Sequence, residues 1–161
     1  MRTLILLFFL IGTNLGLCQN PYFISIDKTS GLPSNSIYDI FQDSKGFMWF
    51  ATGKGLCRYD GNNFKTFTAD FQTSKSGSCI AEDKFGRIWY ENFDGYLYYI
   101  EKGKLIAFTQ QKTIGYFRYG IIKNDLFLIQ PGAVFVYDLK SLKVKTKHII
   151  TDQQIRFCIA T

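Results

Sequence analysis

Asp43-Ser-Lys-Gly46-Phe-Met-Trp49-Phe50 returns as Asp83-Lys-Phe-Gly86-Arg-Ile-Trp89-Tyr90, so that Asp, Gly and Trp all recur at one constant offset. Gly55 and Tyr59 recur at the same offset as Gly95 and Tyr99. Five matches at one spacing, the rare Trp among them, mark an internal repeat of a length found in propellers and solenoids. Within each copy the Asp heads a turn, because its carboxylate bonds to the backbone ahead, and the Gly supplies positive φ. The first copy reads as strands at 37–42, 47–52, 56–59 and 64–68, and the second as strands at 79–82, 87–91, 96–100 and 104–108. Four short strands joined by tight turns and repeated at this period predict an all-β fold, a β-propeller of four-stranded antiparallel blades.

Working outward, a third and degenerate copy follows. Strands are expected at 119–123, 126–130, 133–137 and 143–150, with Asn124-Asp125 as a tight hairpin turn and Pro131-Gly132 as the next. The Trp and the Asp-x-x-Gly turn are both missing, which a shortened hairpin explains. Cys158-Ile-Ala-Thr161 then echoes Cys79-Ile-Ala-Glu82, so the first strand of a fourth blade is expected at the end. The predicted organisation is a lead-in at 19–36, blade 1 at 37–68, blade 2 at 78–108, blade 3 at 117–150 and the start of blade 4 at 155–161. About three blades is fewer than the 4–8 with which propellers close. The ring is therefore expected to be incomplete, with the extended run 22–26 as a ring-closing strand and missing C-terminal blades as its partners.

The segment from Met1 to Cys18 reads differently. Arg2 precedes the unbroken apolar run 4–11, and Gly12, Thr13, Asn14 and Gly16 lower the hydrophobicity towards a cut before Gln19. The run is too short to span a membrane and fits a secretory signal peptide. Lipidation of Cys18 is the alternative, but Leu17 stands where a small residue is needed. The 161 residues carry 19 Lys+Arg against 13 Asp+Glu, a net charge of +6. In an exported chain that balance describes a solvated surface, and no nucleic-acid partner is expected. At 47% hydrophobic and 17% aromatic, with only 3 Pro, the composition excludes a disordered or low-complexity chain. Cys57, Cys79 and Cys158 match no zinc spacing and are expected as small buried hydrophobes.

The run Gly31-Leu-Pro-Ser-Asn-Ser-Ile37, followed by Asp43-x-x-Gly46-x-x-Trp49 and then Gly55, Tyr59, Asp60 and Gly61, resembles the two-component regulator propeller repeat. The resemblance is close in blade 1, good in blade 2 at Asp83, Gly86, Trp89 and Gly95, and poor in blade 3. It implies the exported sensor region of a bacterial histidine kinase, held on the periplasmic side of the envelope by parts that lie further along. It further implies an immunoglobulin-like domain, a membrane helix and a cytoplasmic kinase as partners within one protein, often dimeric, with an oligosaccharide as the extracellular ligand. No catalytic residue, metal ligand or cofactor is expected in this part.

Each chemical signal has a plainer reading beside it. Trp49 and Trp89 suit stacking on a sugar, but their common place in the repeat favours packing between blades. Asp43 and Asp83 suit acid–base work, yet their identical turns favour backbone capping. Gly53-Lys-Gly55 lacks the spacing that cradles phosphate. His148 has no second histidine or nearby cysteine to build a metal site or a catalytic triad, and Lys143, Lys145 and Lys147 alternate as a solvent face that discourages edge pairing. Tyr96, Tyr98, Tyr116 and Tyr119 remain as aromatics for a ligand. A secreted glycan lyase or hydrolase and a protein-interaction propeller are the competing readings.

Overall fold

The structure is a computed structural model and describes residues 23–70, 72–109 and 118–150. The expected signal peptide, Cys18, Tyr22, Tyr116, Cys158 and the expected start of blade 4 lie outside the described residues. Among those described, twelve strands form three four-stranded sheets. The first joins β1 (Ile37–Gln42), β2 (Met48–Thr52), β3 (Gly55–Tyr59) and β4 (Phe64–Phe67) in chain order. The second joins β5 (Gly77–Glu82), β6 (Ile88–Asn92), β7 (Leu97–Glu101) and β8 (Lys104–Ala107). The third joins β9 (Arg118–Ile122), β10 (Asp125–Gln130), β11 (Ala133–Asp138) and β12 (Val144–Ile149). All pairings are antiparallel, and these are the blades of a β-propeller. No described helix is long and apolar enough to cross a membrane.

The period-2 pleat decides what each blade turns to its neighbours. On β2 and β3, Trp49, Ala51 and Leu56 face blade 2, while Phe50 and Cys57 face the other way and are covered by Leu32 and Ile26 of the lead-in. On β6 and β7, Ile88, Tyr90, Tyr98 and Ile100 return towards blade 1, while Trp89, Leu97 and Tyr99 pack on Leu126, Leu128 and Leu139 of blade 3. Blade 2 is thus buried on both faces, and its two inner strands are apolar or aromatic except for buried Glu91 and Asn92 at the end of β6 and exposed Glu101 at the end of β7. Each large aromatic buries roughly 150–250 Å², about 4–6 kcal/mol of transfer free energy. These two seams are the core.

The repeated phrase is a hydrogen-bonded unit. In blade 1, Asp43 Oδ1 accepts from Lys45 N (3.0 Å) and Phe47 N (2.9 Å), while Oδ2 accepts from Trp49 Nε1 (2.7 Å). In blade 2, Asp83 Oδ1 accepts from Phe85 N and Arg87 N, and Oδ2 from Trp89 Nε1 (2.9 Å). Gly46 (φ 86°) and Gly86 (φ 76°) close the turns through N–H bonds back to Asp43 O and Asp83 O, at a φ where a Cβ would be strained. The fixed spacing of Asp and Trp is therefore a bond between them. Blade 3 loses both together because neither buried group can stand without its partner.

Three expectations need correction. Gly55 and Gly95, and Tyr59 and Tyr99, share an offset but not a position. Leu56 lies opposite Ala51 in blade 1, whereas Leu97 lies opposite Glu91 in blade 2, so Leu56 corresponds to Leu97 and not to Tyr96. One extra residue before β7 flips the pleat. Gly55 is a strand residue and Gly95 lies in the turn, while Tyr59 stacks on Phe64 facing away from blade 2 and Tyr99 packs against Trp89 facing blade 3. The β9–β10 turn is Lys123-Asn124, not Asn124-Asp125, because Asp125 pairs with Ile122 and Lys123 takes positive φ (54°). Residues 23–26 belong to no strand among the described residues, and Phe23 and Ile24 are exposed.

Candidate ligand-binding site

The residues singled out by the repeat are engaged in the scaffold. Trp89 is 0% exposed, Trp49 is buried, and both indole N–H groups are bonded to carboxylates, so neither ring offers a face to a ligand. Asp83 holds two backbone amides, the Trp89 indole and the Arg87 guanidinium (Nε to Oδ2, 2.6 Å). Arg87 also donates from Nη2 to Leu139 O across the seam and lies over the Phe85, Trp89 and Tyr99 rings. Of the tyrosines proposed for a ligand, Tyr98 is fully buried in the first seam and Tyr96 packs beside it. Tyr119 is half-buried in the second seam, with its hydroxyl donating to Cys79 O. His148 lies opposite Val134 on β12, whose residues are all exposed.

Chemistry not committed to the scaffold gathers at the end of β6. Three blades contribute to it. From blade 1, Tyr38 reaches over to Phe93, ring centroids 4.9 Å apart in an edge-on pair, with the two rings 50% and 55% exposed. From blade 2 come Glu91 on β6, Phe93 and Asp94 in the following turn, and Ser78 and Cys79 on β5. From blade 3, Arg118 Nη1 donates to Glu91 Oε1 at 2.8 Å. Ser78 lies opposite Glu91 and Arg118 opposite Ile129, while in blade 1 Asp39 lies opposite Ala51 and Tyr38 falls in the irregularity between Ile37 and Asp39. Sequence reasoning missed Tyr38, Phe93, Glu91 and Arg118. Equal spacing along the chain gave no signal, because the irregularities in β1 and β5 separate offset from ladder position.

Local structure explains why the site forms here. β5 carries an irregularity between Ser78 and Ala81, and Cys79 sits within it at φ 54°. Bulges of this kind re-aim side chains and concentrate near functional sites. Asp39 of blade 1 accepts from Ile80 N at 2.6 Å, and the Tyr119 hydroxyl reaches Cys79 O from blade 3, so the irregular strand is held from both sides. The lead into β5 is strapped across β6: Asn92 Nδ2 donates to Ser74 O (3.0 Å), Phe93 N to Ser76 O (2.9 Å), and the Tyr90 hydroxyl to Lys75 O. Gly77 lies so close beneath that a Cβ there would fall 2.1 Å from Glu91 O. Only glycine permits that approach.

The electrostatics are unusual for a seam. Glu91 is 4% exposed, and burial pushes its carboxyl above the usual range, opposed by the neighbouring Cys79 thiol and the Arg118 guanidinium. Burial, with Glu91 beside it, also raises the Cys79 thiol. Glu91 Oε2 has no hydrogen-bond partner among the described residues. Arg118 is 49% exposed along its side chain, so one end of this ion pair is dry and the other wet. No group of three or more His, Cys, Asp or Glu poised for a metal occurs among the described residues.

Residues 31–54, which run from the lead-in through β2, match the two-component regulator propeller family. Those residues carry one two-component regulator propeller repeat. Among solved structures it is similar to the extracellular domain assigned to the hybrid two-component system BT4673 of B. thetaiotaomicron, at 17% identity and a TM-score of 0.64, over 81% of this chain and 19% of that one. It is similar also to the corresponding domain of BT3049 from the same organism, at 20% identity and 0.59, over 78% and 20%. Virginiamycin B lyase from Staphylococcus aureus shares the fold at 19% identity and 0.58, over 74% and 43%. The chain thus spans about a fifth of the length of those two domains. At these identities the likeness is one of fold, and it includes a sensor domain and a lyase alike. No curated protein matches the chain.

Proposed function

We propose that this chain is the exported, ligand-sensing propeller segment of a two-component sensor histidine kinase and that its ligand is an extracellular oligosaccharide. The observation that carries the reading is the meeting of three blades at the end of β6, in a chain bearing the repeat of that family. A ligand seated on Tyr38, Phe93 and Arg118 touches every blade described, so its binding energy depends on the angles between blades. That dependence is what a sensor needs, since a ligand shifts a conformational equilibrium only by its differential affinity for the two arrangements. Exposed aromatic rings beside hydroxyl and charged groups suit the alternating apolar and polar faces of a sugar. The export signal expected at 1–18 supports a site outside the cytoplasm, and the kinase belongs to the remainder of the protein.

The test is phosphorylation of the full-length protein in membranes, measured against a panel of oligosaccharides. Ligand-dependent phosphotransfer that falls in Phe93→Ala while the fold survives supports the reading. Cleavage of a glycan by the same protein, without any phosphotransfer, would replace it with the lyase-like alternative.

A further inference from the structure

A groove runs between the outer strands of blades 1 and 2 and shares no lining residue with the site at the end of β6. We propose that it takes an extended peptide segment of a partner protein, whose apolar side chains rest on Phe67 and Leu105 and whose carboxylate meets Lys65 and Arg58. The proposal goes beyond the sensor reading and does not depend on it.

β4 and β8 are the outermost strands of their sheets, each paired on one side only. Their free edges flank the groove, which has a volume of about 760 Å³. Its floor is the outer margin of the first seam. Phe67 and Leu105 are buried in that seam, and Ala69 and Ala107 pack against it half-buried. Lys65 stands on the same face of β4 as Phe67, since side chains of one face recur at every second residue. An extended chain lying here can pair its main chain with a free edge and set alternate side chains onto that row, the mode of strand addition. Gln72 already bonds both main-chain groups of Ala69, so the pairing falls to β8.

Charge decides what the segment carries. Arg58 and Lys65 lie directly opposite each other in the β3–β4 ladder, where like charges repel. Neither is in an ion pair among the described residues. Lys65 Nζ lies 5.1 Å over the Phe67 ring and reaches across to blade 2, where a Cβ on Gly103 would stand 3.8 Å from it. Arg58 lies 4.2 Å over Phe47, and its buried Nε has no hydrogen-bond partner among the described residues. Asp60, the acid nearest to it in the chain, bonds the amides of Asn62 and Asn63. A carboxylate brought between the two cations offsets their repulsion through charge-assisted bonds. Asp70, exposed further along the same wall, repels such a group, so the acidic end of the segment lies at Lys65. The equivalent pair in blade 2 is Tyr99 opposite Ile106. The two cations therefore belong to this groove and not to the repeat.

The experiment is fluorescence anisotropy of two labelled octapeptides against the full chain. One alternates leucine and threonine and ends in a pair of aspartates, and the other has asparagines in their place. The acidic peptide is expected to bind, and the neutral one at least about tenfold more weakly. Lys65→Gln should weaken the acidic peptide by about tenfold, while Lys65→Arg keeps it and Ala107→Phe, which fills the groove, abolishes it. Lys65 is exposed, so its variants decide the matter even where melting curves show that Ala107→Phe does not fold. Equal binding of the two peptides, binding unchanged in Lys65→Gln, or no binding of the acidic peptide up to about 1 mM each overturns the proposal. Self-association of the chain that is lost in Ala107→Phe would give the groove to a second copy and overturn it as well.

Discussion

The two seams of this propeller use the same frame for different ends. Between blades 1 and 2 the buried contact is apolar, Trp49, Ala51, Leu56 and Phe67 meeting Ile80, Ile88, Tyr90 and Tyr98. Across the same seam the Glu82 carboxylate accepts from Ser44, and Asp39 accepts from Ile80 N. Between blades 2 and 3 the same positions hold Trp89 and Leu97, but Ala51 is replaced by Glu91, and Arg87 and Arg118 bring two guanidinium groups to the contact. The cation–π partners have also exchanged strands. In blade 1 Arg58 on β3 lies 4.2 Å over Phe47, whereas in blade 2 Arg87 stands at the position of Phe47 and Tyr99 at that of Arg58. The first seam bonds its carboxylates, Asp39 and Glu82, to groups of the facing blade beside an apolar core. The second buries a carboxylate, Glu91, against a half-exposed guanidinium, so pH can act on it.

The largest expected effect tests whether the aromatic anchors carry both seams. Trp89→Ala should cost about 3–5 kcal/mol, read as a lowered melting temperature of the full chain. Trp89→Phe, which removes mainly the indole bond to Asp83, should cost about 1 kcal/mol. A Trp89→Ala variant of unchanged stability would move the second seam's support elsewhere.

The next sharpens the difference between the seams. Asp83→Ala strands both Arg87 and Trp89 in a buried site and should cost about 3–5 kcal/mol. Asp43→Ala strands one indole and two turn amides, and should cost roughly 2 kcal/mol. Equal losses in denaturant titrations would mean that Arg87 contributes nothing to the distinction.

Backbone approach comes third. Gly77→Ala should cost about 1–3 kcal/mol through overpacking against Glu91 O and the Tyr90 ring. Gly120→Ala on β9, where a Cβ meets nothing within 4 Å, should be close to neutral.

The fourth effect is smaller and depends on pH. Because burial raises the Glu91 carboxyl above its ordinary 4.5, the folded chain holds that proton more tightly than the unfolded chain. Its contribution to stability is present below 4.5 and is lost as pH rises through the folded value. Glu91→Gln should therefore raise stability near pH 7 and leave it unchanged near pH 4, measured as melting temperature across that range. A variant with the wild-type pH profile would assign the effect to another group.

The smallest effect concerns the cysteines. Burial pushes the Cys57 thiol up to about 12, while Cys79 is half-buried beside Glu91. With a thiol reagent at pH 8, followed by peptide mapping, Cys79 should react slowly and Cys57 only on unfolding. The opposite order would contradict the burial of the first blade's outer face.

Strand positions were legible in the sequence because turn chemistry and the repeat period are local signals. All twelve observed strands begin within two residues of the expected starts. Asp43 and Asp83 were recognisable as turn caps, since the turn uses only neighbours in sequence. That the same carboxylates hold Trp49 and Trp89 needed the fold, because a side chain that far along the strand comes within reach only when the hairpin is formed. The misplaced equivalence of Tyr59 with Tyr99 has a similar origin. One residue inserted before β7 leaves the sequence offset nearly intact but sends the side chain to the opposite face.

The candidate site shows the same division. By itself the sequence determined the blade as a unit, the turn residues that punctuate it and the aromatic content that packs it, because each follows from short-range preferences repeated at a fixed period. Tertiary structure alone decided that Tyr38, Glu91 and Arg118, from three different blades, converge on the end of β6. Nothing in their separation along the chain relates them. Only the stacking of blades, face against face with a bulge in β5 to turn the strand, brings Tyr38 against Phe93 and Arg118 against Glu91, and only burial makes Glu91 an acid raised above its ordinary range.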